Sequence, residues 1–211
     1  MGGKQWLTSL LTMTDEQAMW RVQNQDDHEA FARVVERWEQ PIWRLCTRLT
    51  GDAHRGEDIK QEVFARIYAK RKDYRPDLRF STWLWRIALN LCYDELRRNK
   101  RHATHLVDGE EGEGLEALPA AHDGPDGETV RSEEGALVRR AVLQLPEIYR
   151  TVLVLRHYEG LKLREIAEVL EVPEGTVNSR MAEALARLSR MLEPQLDRRP
   201  KPDQPHPLMT L

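Results

Sequence analysis

The sequence predicts an all-α chain of two small helical domains joined by a flexible acidic linker. Apolar residues recur at helical spacing through residues 14–102 and again through 135–193. The linker between them, residues 103–134, combines acidic residues with glycine and proline. Residues 1–13 are an N-terminal extension, of which the first twelve form at most a short apolar helix, and the proline-rich residues 194–211 are predicted to be a disordered tail.

Four helices are predicted in the first domain. Thr14 supplies an N-cap for the first helix, and Asp15 and Glu16 favour the positive end of its dipole. The second helix has an amphipathic pattern carried by Ala30, Phe31, Val34, Val35 and Trp38. We expect Pro41 to kink or divide this helix, because proline has no amide hydrogen to donate.

The third helix is predicted to follow Gly51 and Asp52. Its core stripe has a four-residue spacing and consists of Ile59, Val63 and Ile67. Three polar residues face away from that stripe: Asp58, Gln61 and Glu62.

The fourth helix is predicted to begin with Ser81 or Thr82 as its cap and to have two distinct faces. The inward face consists of Phe80, Leu84, Ile87 and Leu91. The second face consists of Arg86, Asn90, Tyr93 and Arg97. A row of cation, amide and aromatic groups suits single-stranded nucleic acid, although a polar helix face is more often simply solvated. Trp83 and Trp85 are more typical of core packing than of base stacking.

A helix-turn-helix is predicted in the second domain. The apolar contacts between its two helices fall at Ile166, Ala167, Leu170, Val172 and Val177. The second helix would be free to enter a DNA major groove and would expose Thr176, Asn178, Ser179 and Arg180. The alternative is an ordinary helical hairpin within a core.

The charge of the chain is unevenly distributed. The linker has ten acidic residues against Arg131 alone, a net charge of −9, so the rest of the chain carries +6 within a total of −3. Two mildly basic domains around an acidic connector are consistent with nucleic-acid binding by the domains. The linker could imitate DNA in a positive channel, or it could be merely solvated.

Other classes of protein lack support in the sequence. No run of about eighteen apolar residues could span a bilayer, and no signal for secretion is visible, so we expect a cytoplasmic protein. Cys46 and Cys92 lie within apolar helical patterns and are expected to be buried and reduced rather than zinc ligands. No phosphate loop, nucleophile with its base or metal-ligand cluster is visible, so neither an enzyme, a metal nor a cofactor is predicted. Glu165 and Glu168 are interpreted as a solvated helix face.

Three stretches together resemble the sigma-70 family of bacterial RNA polymerase specificity subunits, in its extracytoplasmic-function group. Residues 57–64 resemble the polymerase-binding helix of the family, and residues 80–90 resemble its promoter-melting segment. Residues 145–180 resemble its C-terminal helix-turn-helix. The order of the three stretches, with an acidic linker before the last, is more specific than any one match.

The resemblance implies partners and contact residues. Core RNA polymerase would be bound through the clamp helices of its largest subunit by Asp58, Gln61, Glu62 and Phe64. The promoter −10 element would be bound by Arg75, Arg79, Ser81, Thr82, Arg86, Asn90 and Arg97. The −35 element, as duplex, would be bound by Thr176, Asn178, Ser179 and Arg180. The −10 residues would help to melt the promoter by capturing an extruded base. The resemblance also allows for an anti-sigma partner between the two domains, although the sequence names none.

Two positions depart from the pattern of the family. Glu171 stands where a turn glycine is common, and a left-handed backbone there would cost a residue with a Cβ about 1 kcal/mol. Pro173 stands where a capping serine is common. Both departures bear on −35 recognition.

Two alternatives stay open: a stand-alone helix-turn-helix repressor, and a sigma-like interaction protein with weak promoter binding.

Overall fold

The computed structural model describes residues 13–107 and 133–196, and the regular structure in these two ranges is helical. The first range contains α1 (Asp15–Gln25), α2 (His28–Thr50), α3 (Ala53–Ala69), a 3₁₀ turn (Arg71–Asp73) and α4 (Phe80–Val107). The second contains α5 (Glu133–Gln144), α6 (Glu147–Leu153), a π-helical turn (Val154–Tyr158), α7 (Leu163–Leu170) and α8 (Glu174–Leu196). The predicted all-α fold is confirmed.

Helices run past the predicted ends of both domains. Helix α4 continues to Val107, five residues into the predicted linker, and α8 continues to Leu196 with Pro194 inside it. Residues 1–12, 108–132 and 197–211 lie outside the described part of the chain, and with them most of the predicted linker and tail. Within the described ranges, none of the helices combines the length and the hydropathy that crossing a membrane requires.

Side-chain caps begin the first three helices. The Thr14 hydroxyl accepts the amide hydrogen of Gln17 while the Gln17 side chain accepts that of Thr14, which completes a capping box. Asp27 caps α2 through the amide of Ala30, and Asp52 caps α3 through two amides of its first turn. These caps satisfy amide hydrogens that have no partner within the helix.

The predictions for Pro41 and for the start of the fourth helix have different outcomes. Helix α2 is continuous from residue 28 to residue 50, so Pro41 does not divide it, and a kink at Pro41 stays a prediction. The cap predicted for the fourth helix was wrong. Helix α4 begins at Phe80, which places Ser81 and Thr82 inside its first turn rather than at a cap. The amide of Phe80 donates instead to the Glu16 carboxylate, at 3.2 Å. The Glu16 side chain on α1 therefore caps the start of α4, where the sequence predicted a cap by the hydroxyl of Ser81 or Thr82.

The first four helices enclose an aromatic-rich core. All four residues of the predicted inward face of α4 are buried, and so are both cysteines. Trp38 packs edge-on against Phe80 and Trp85, with ring centroids 6.4 and 5.5 Å apart. Trp83 is partly buried beside Tyr74. The interpretation of these tryptophans as packing residues is confirmed.

The two helical domains pack against each other, and their buried residues form one continuous core. Arg150 joins the two domains. Its guanidinium donates to the carbonyl of Leu49 in the first domain, at 2.5 Å, and to those of Leu143 and Leu145 in the second, at 2.6 and 3.0 Å. Three charge-assisted hydrogen bonds compensate for the partial burial of this cation.

Candidate functional site

The outer face of α3 is a small, exposed and largely acidic surface. Asp58, Gln61 and Glu62 all lie on it, because the buried stripe on the opposite side of the helix faces the core. Gln61 donates to Glu57 at 3.2 Å, and Glu62 accepts from Arg66 at 2.8 Å. Each pair joins residues one helical turn apart and is solvent-exposed, so a binding partner can replace these contacts at little cost in free energy. We call this surface the α3 acidic face.

Phe64 does not belong to this face. Its side chain is only 7% exposed and lies in the core next to Val63. The apolar stripe of α3 is wider than the four-residue spacing suggested, since a core-facing helix commonly buries a stripe more than 100° across. Phe64 therefore holds α3 in place and does not present a surface to a partner.

The residues predicted to bind the −10 element lie in the loop before α4 and along α4. Arg75, Arg79, Asn90 and Arg97 are exposed, Ser81 and Arg86 are half-buried, and Thr82 is buried at 6% exposure. Thr82 thus packs within the first helical turn and does not offer a free hydroxyl. We call the remaining six residues the α4 polar face.

Two cations of the α4 polar face are bound by the helix-turn-helix. Arg79 donates to the Glu165 carboxylate at 3.1 Å. Arg86 lies 2.8 Å from the Glu171 carboxylate and donates to the backbone carbonyl of Glu168 at 2.6 Å. The interpretation of Glu165 as part of a solvated face is therefore wrong, because its carboxylate bridges the two domains.

The predicted helix-turn-helix is formed by α7 and α8. The turn residue Glu171 has a φ of 54°, so the left-handed backbone considered from the sequence is present. Of the four predicted contact residues, Asn178 and Ser179 are exposed, whereas Thr176 and Arg180 are half-buried. The Ser179 hydroxyl donates to the carbonyl of Thr176 at 3.0 Å.

A buried ion pair and a polar contact complete the boundary between the domains. The Arg48 guanidinium lies 3.3 Å from the Glu159 carboxylate and also stacks over the Tyr158 ring. The Glu159 side chain is only 2% exposed. Burial raises the pKa of Glu159, although the nearby arginines oppose this shift. The Tyr93 hydroxyl on α4 donates to Thr151 on α6 at 3.0 Å.

A cleft of about 320 Å³ lies beside these contacts. Its walls include Trp38, Arg44, Arg79 and Trp85 from the first domain and Tyr158 and Glu165 from the second. The cleft is therefore a product of the domain contact. Among the described residues, no cluster of three or more metal-binding side chains is present.

Comparison with known proteins identifies both domains. Residues 34–102 match the model for sigma-70 region 2, and residues 136–188 match the model for sigma-70 region 4. The chain belongs to the sigma-70 family. It is 39% identical over 159 residues to the ECF RNA polymerase sigma factor SigW of Bacillus subtilis, a match that covers 74% of this chain and 84% of SigW. It is 32% identical over 191 residues to the ECF sigma-E factor of Escherichia coli K12, covering 88% and 98% of the two chains.

Solved structures show the same fold. The sigma factor RpoE of Bartonella quintana, solved with the anti-sigma factor NepR, has a TM-score of 0.62 at 21% identity and covers 77% of this chain and 96% of its own. CnrH, solved with the cytosolic domain of CnrY, has a TM-score of 0.63 at 23% identity, with 85% and 97% covered. These two structures show the fold, whereas the matches to the region 2 and region 4 models and to the curated ECF sigma factors show that this chain is an extracytoplasmic-function member of the family, whose function is promoter-specific transcription initiation.

Sequence reasoning missed the residues that join region 2 to region 4. Arg48, Arg150 and Glu159 lie in amphipathic helices or in a short connection, where a charged residue is ordinary. Their partners are about a hundred residues away along the chain. Of the residues at the boundary between the domains, only Glu171 was unusual in the sequence, because it stands at a turn position that favours glycine.

Proposed function

We propose that this sigma factor binds core RNA polymerase through the α3 acidic face, with Asp58, Gln61 and Glu62 meeting the clamp helices of the largest subunit. The supporting observation is that these three side chains are exposed together while the other side of α3 is packed in the core. Carboxylates on a rigid helix can pair with cations of a partner without first being ordered. Phe64 supports the helix from beneath.

Within this proposal, region 2 captures the −10 element as a single strand. The α4 polar face offers arginines for phosphates and Asn90 for a base edge, which are the groups that single-strand binding requires. Region 4 reads the −35 element as duplex through Thr176, Asn178, Ser179 and Arg180, at the start of α8. The chain supplies binding and sequence choice, and phosphodiester chemistry belongs to the polymerase.

An anti-sigma factor is a further partner in this proposal. It is supported by the two structural neighbours, each of which was solved with such a protein or with the cytosolic domain of a partner. In this chain the boundary between regions 2 and 4 already carries a cleft, and a partner helix placed there would contact both regions.

The test of polymerase binding is a charge reversal on the α3 acidic face. The variant Asp58→Lys/Glu62→Lys is expected to lose co-elution with core polymerase, because two attractive contacts become repulsive. The matched control is Glu29→Lys/Glu36→Lys, which makes the same change of charge at two exposed positions of α2. The control is expected to assemble normally.

Circular dichroism distinguishes lost binding from lost folding, since both variants should keep the helical signal of the parent. Normal co-elution of the folded Asp58→Lys/Glu62→Lys variant would contradict the α3 assignment. Equal loss in both variants would show that overall charge, and not this face, controls assembly.

A further inference from the structure

The loop that precedes α4 is held in place by one face of α1. Gln23 donates through Nε2 to the backbone carbonyls of Lys72 and Tyr74, at 3.1 and 3.2 Å, where the loop begins. At the other end of the loop, the Glu16 carboxylate accepts the amide hydrogen of Phe80 at 3.2 Å. Helix α1 therefore fixes this loop at both of its ends.

The loop, residues 74–79, is also ordered internally, and we call it the pre-α4 loop. The amide of Leu78 donates to the Arg75 carbonyl at 3.1 Å, and the Tyr74 hydroxyl donates to the Leu78 carbonyl at 2.9 Å. Tyr74 is buried and packs edge-on against the Phe80 ring. Because the loop is already ordered, a strand that binds beside it loses little affinity to loop ordering.

Trp20 lies on the face of α1 that holds the loop. It follows Glu16 by four residues and precedes Gln23 by three, so the three side chains share one side of the helix. Trp20 is 51% exposed, more than any other tryptophan in the described part of the chain, whereas the core residue Trp85 is 4% exposed. About half of the indole is therefore open to a ligand.

The surroundings of Trp20 suit a strand of nucleic acid. Among the described side chains of the first domain, the other large apolar residue that stays exposed is Leu78, at 40%, in the pre-α4 loop. The segment from residue 70 to residue 79 exposes more cations than carboxylates: Lys70, Lys72, Arg75 and Arg79 against Asp73 and Asp77. Single-strand sites combine cations that follow the backbone with aromatic rings on which bases stack. An open indole beside an excess of cations thus favours a nucleic-acid base over an apolar protein surface.

We propose that Trp20 is a stacking platform for one base of the non-template strand, next to the base that the α4 polar face captures. The indole offers a π-face to any base, so it adds affinity for the melted −10 element without reading its sequence. The contacts of Glu16 and Gln23 keep the indole and the pre-α4 loop side by side. This inference rests on the proposed binding of the −10 element by the α4 polar face.

The test measures binding of a fluorescent promoter duplex to holoenzyme assembled from the full chain and core RNA polymerase. The duplex comes from a promoter that the holoenzyme transcribes, and mismatches premelt its −10 region. We expect Trp20→Ala to weaken binding by about 5- to 150-fold, the loss that corresponds to one stacked base. Trp20→Phe keeps an aromatic face and should retain most of the affinity.

Gln25→Ala is the matched control. Gln25 is exposed on the same helix, about 140° around the axis from Trp20. This variant should bind the duplex like the parent. Equal losses in Gln25→Ala and Trp20→Ala would overturn the platform, and so would equal losses in Trp20→Phe and Trp20→Ala.

Abasic substitution locates the base that stacks on the indole. Duplexes that lack one base at successive positions of the non-template strand are titrated with parent and Trp20→Ala holoenzymes. At one position we expect the difference in affinity between the two holoenzymes to disappear, because no base is left to stack there. A difference that persists at every position would overturn stacking.

Asn90→Ala separates this inference from the proposed function. Normal binding by Trp20→Ala together with weaker binding by Asn90→Ala would overturn the platform and leave the −10 assignment in place. Normal binding by both variants would overturn the platform and the role of Asn90 together. Loss of co-elution of Trp20→Ala with core polymerase would assign the indole to a polymerase contact and overturn its role in DNA binding.

Discussion

Gly56 on α3 lies tight against Thr47 on α2, and its replacement by alanine provides a quantitative test of the region 2 packing. A Cβ built on Gly56 would lie 2.2 Å from the Thr47 hydroxyl oxygen and 3.0 and 3.1 Å from the Thr47 backbone nitrogen and Cα. Rotation of the Thr47 side chain could relieve the first contact. The other two involve backbone, so α2 and α3 would have to move apart.

Two opposing effects decide the outcome of Gly56→Ala. Alanine favours the helical state by about 1 kcal/mol over glycine. Overpacking of a tight core typically costs about 1–3 kcal/mol, and a contact with helix backbone belongs at the upper end of that range. We therefore expect a net loss of about 1–2 kcal/mol in the free energy of unfolding, measured by urea denaturation followed by circular dichroism.

Gly175→Ala is the control, because no atom lies within 4 Å of a Cβ at that position of α8. It should leave stability unchanged or raise it by up to about 1 kcal/mol. Thr47→Ala in the Gly56→Ala background should recover part of the loss, since it removes the closest contact together with a buried hydroxyl that has no hydrogen-bond partner. A Gly56→Ala protein as stable as the parent would refute the packing argument.

Three further predictions concern titration and DNA contacts. Burial raises the pKa of Glu159 in the folded chain against the opposing charges of Arg48 and Arg44, so the folded state binds a proton more readily than the unfolded state, and Glu159 makes stability rise as pH falls through the raised pKa toward the ordinary pKa of a glutamate. Urea denaturation across this pH range should show that the Glu159→Gln variant lacks this gain in the free energy of unfolding. Profiles of stability against pH that run parallel in the variant and the parent would contradict this role of Glu159. Arg180→Ala should weaken closed-complex binding on promoters with a −35 element by about 1–3 kcal/mol in a gel-shift assay, and an unchanged affinity would remove Arg180 from the interface. Asn90→Ala should reduce strand opening in permanganate footprinting, and normal opening would exclude base capture.

The helices of region 2 could be predicted because their information is local. The stripe on α3 and the inward face of α4 are periodic patterns of adjacent turns, and the structure buries both. Caps at Thr14 and Asp52 act within three residues along the chain. The start of α4 was missed because its partner, Glu16, is 64 residues away.

The contact between the domains could not be predicted by the same means. Periodicity shows which face of a helix is apolar, but it does not show which distant carboxylate meets Arg79 or Arg86. Glu165 on α7 fits a solvated face equally well until the fold brings its carboxylate to Arg79. Phe64 was misplaced for a related reason, because the width of a buried stripe depends on the neighbouring helix.

Run-off transcription with core RNA polymerase tests the central claim most directly. A promoter library is transcribed with and without the full chain, and with the Asp58→Lys/Glu62→Lys variant. We expect transcripts from a defined subset of promoters only with the parent chain and core polymerase together. No chain-dependent transcript from any promoter, or repression through DNA binding without polymerase, would contradict the assignment of this protein as a promoter-selecting sigma factor.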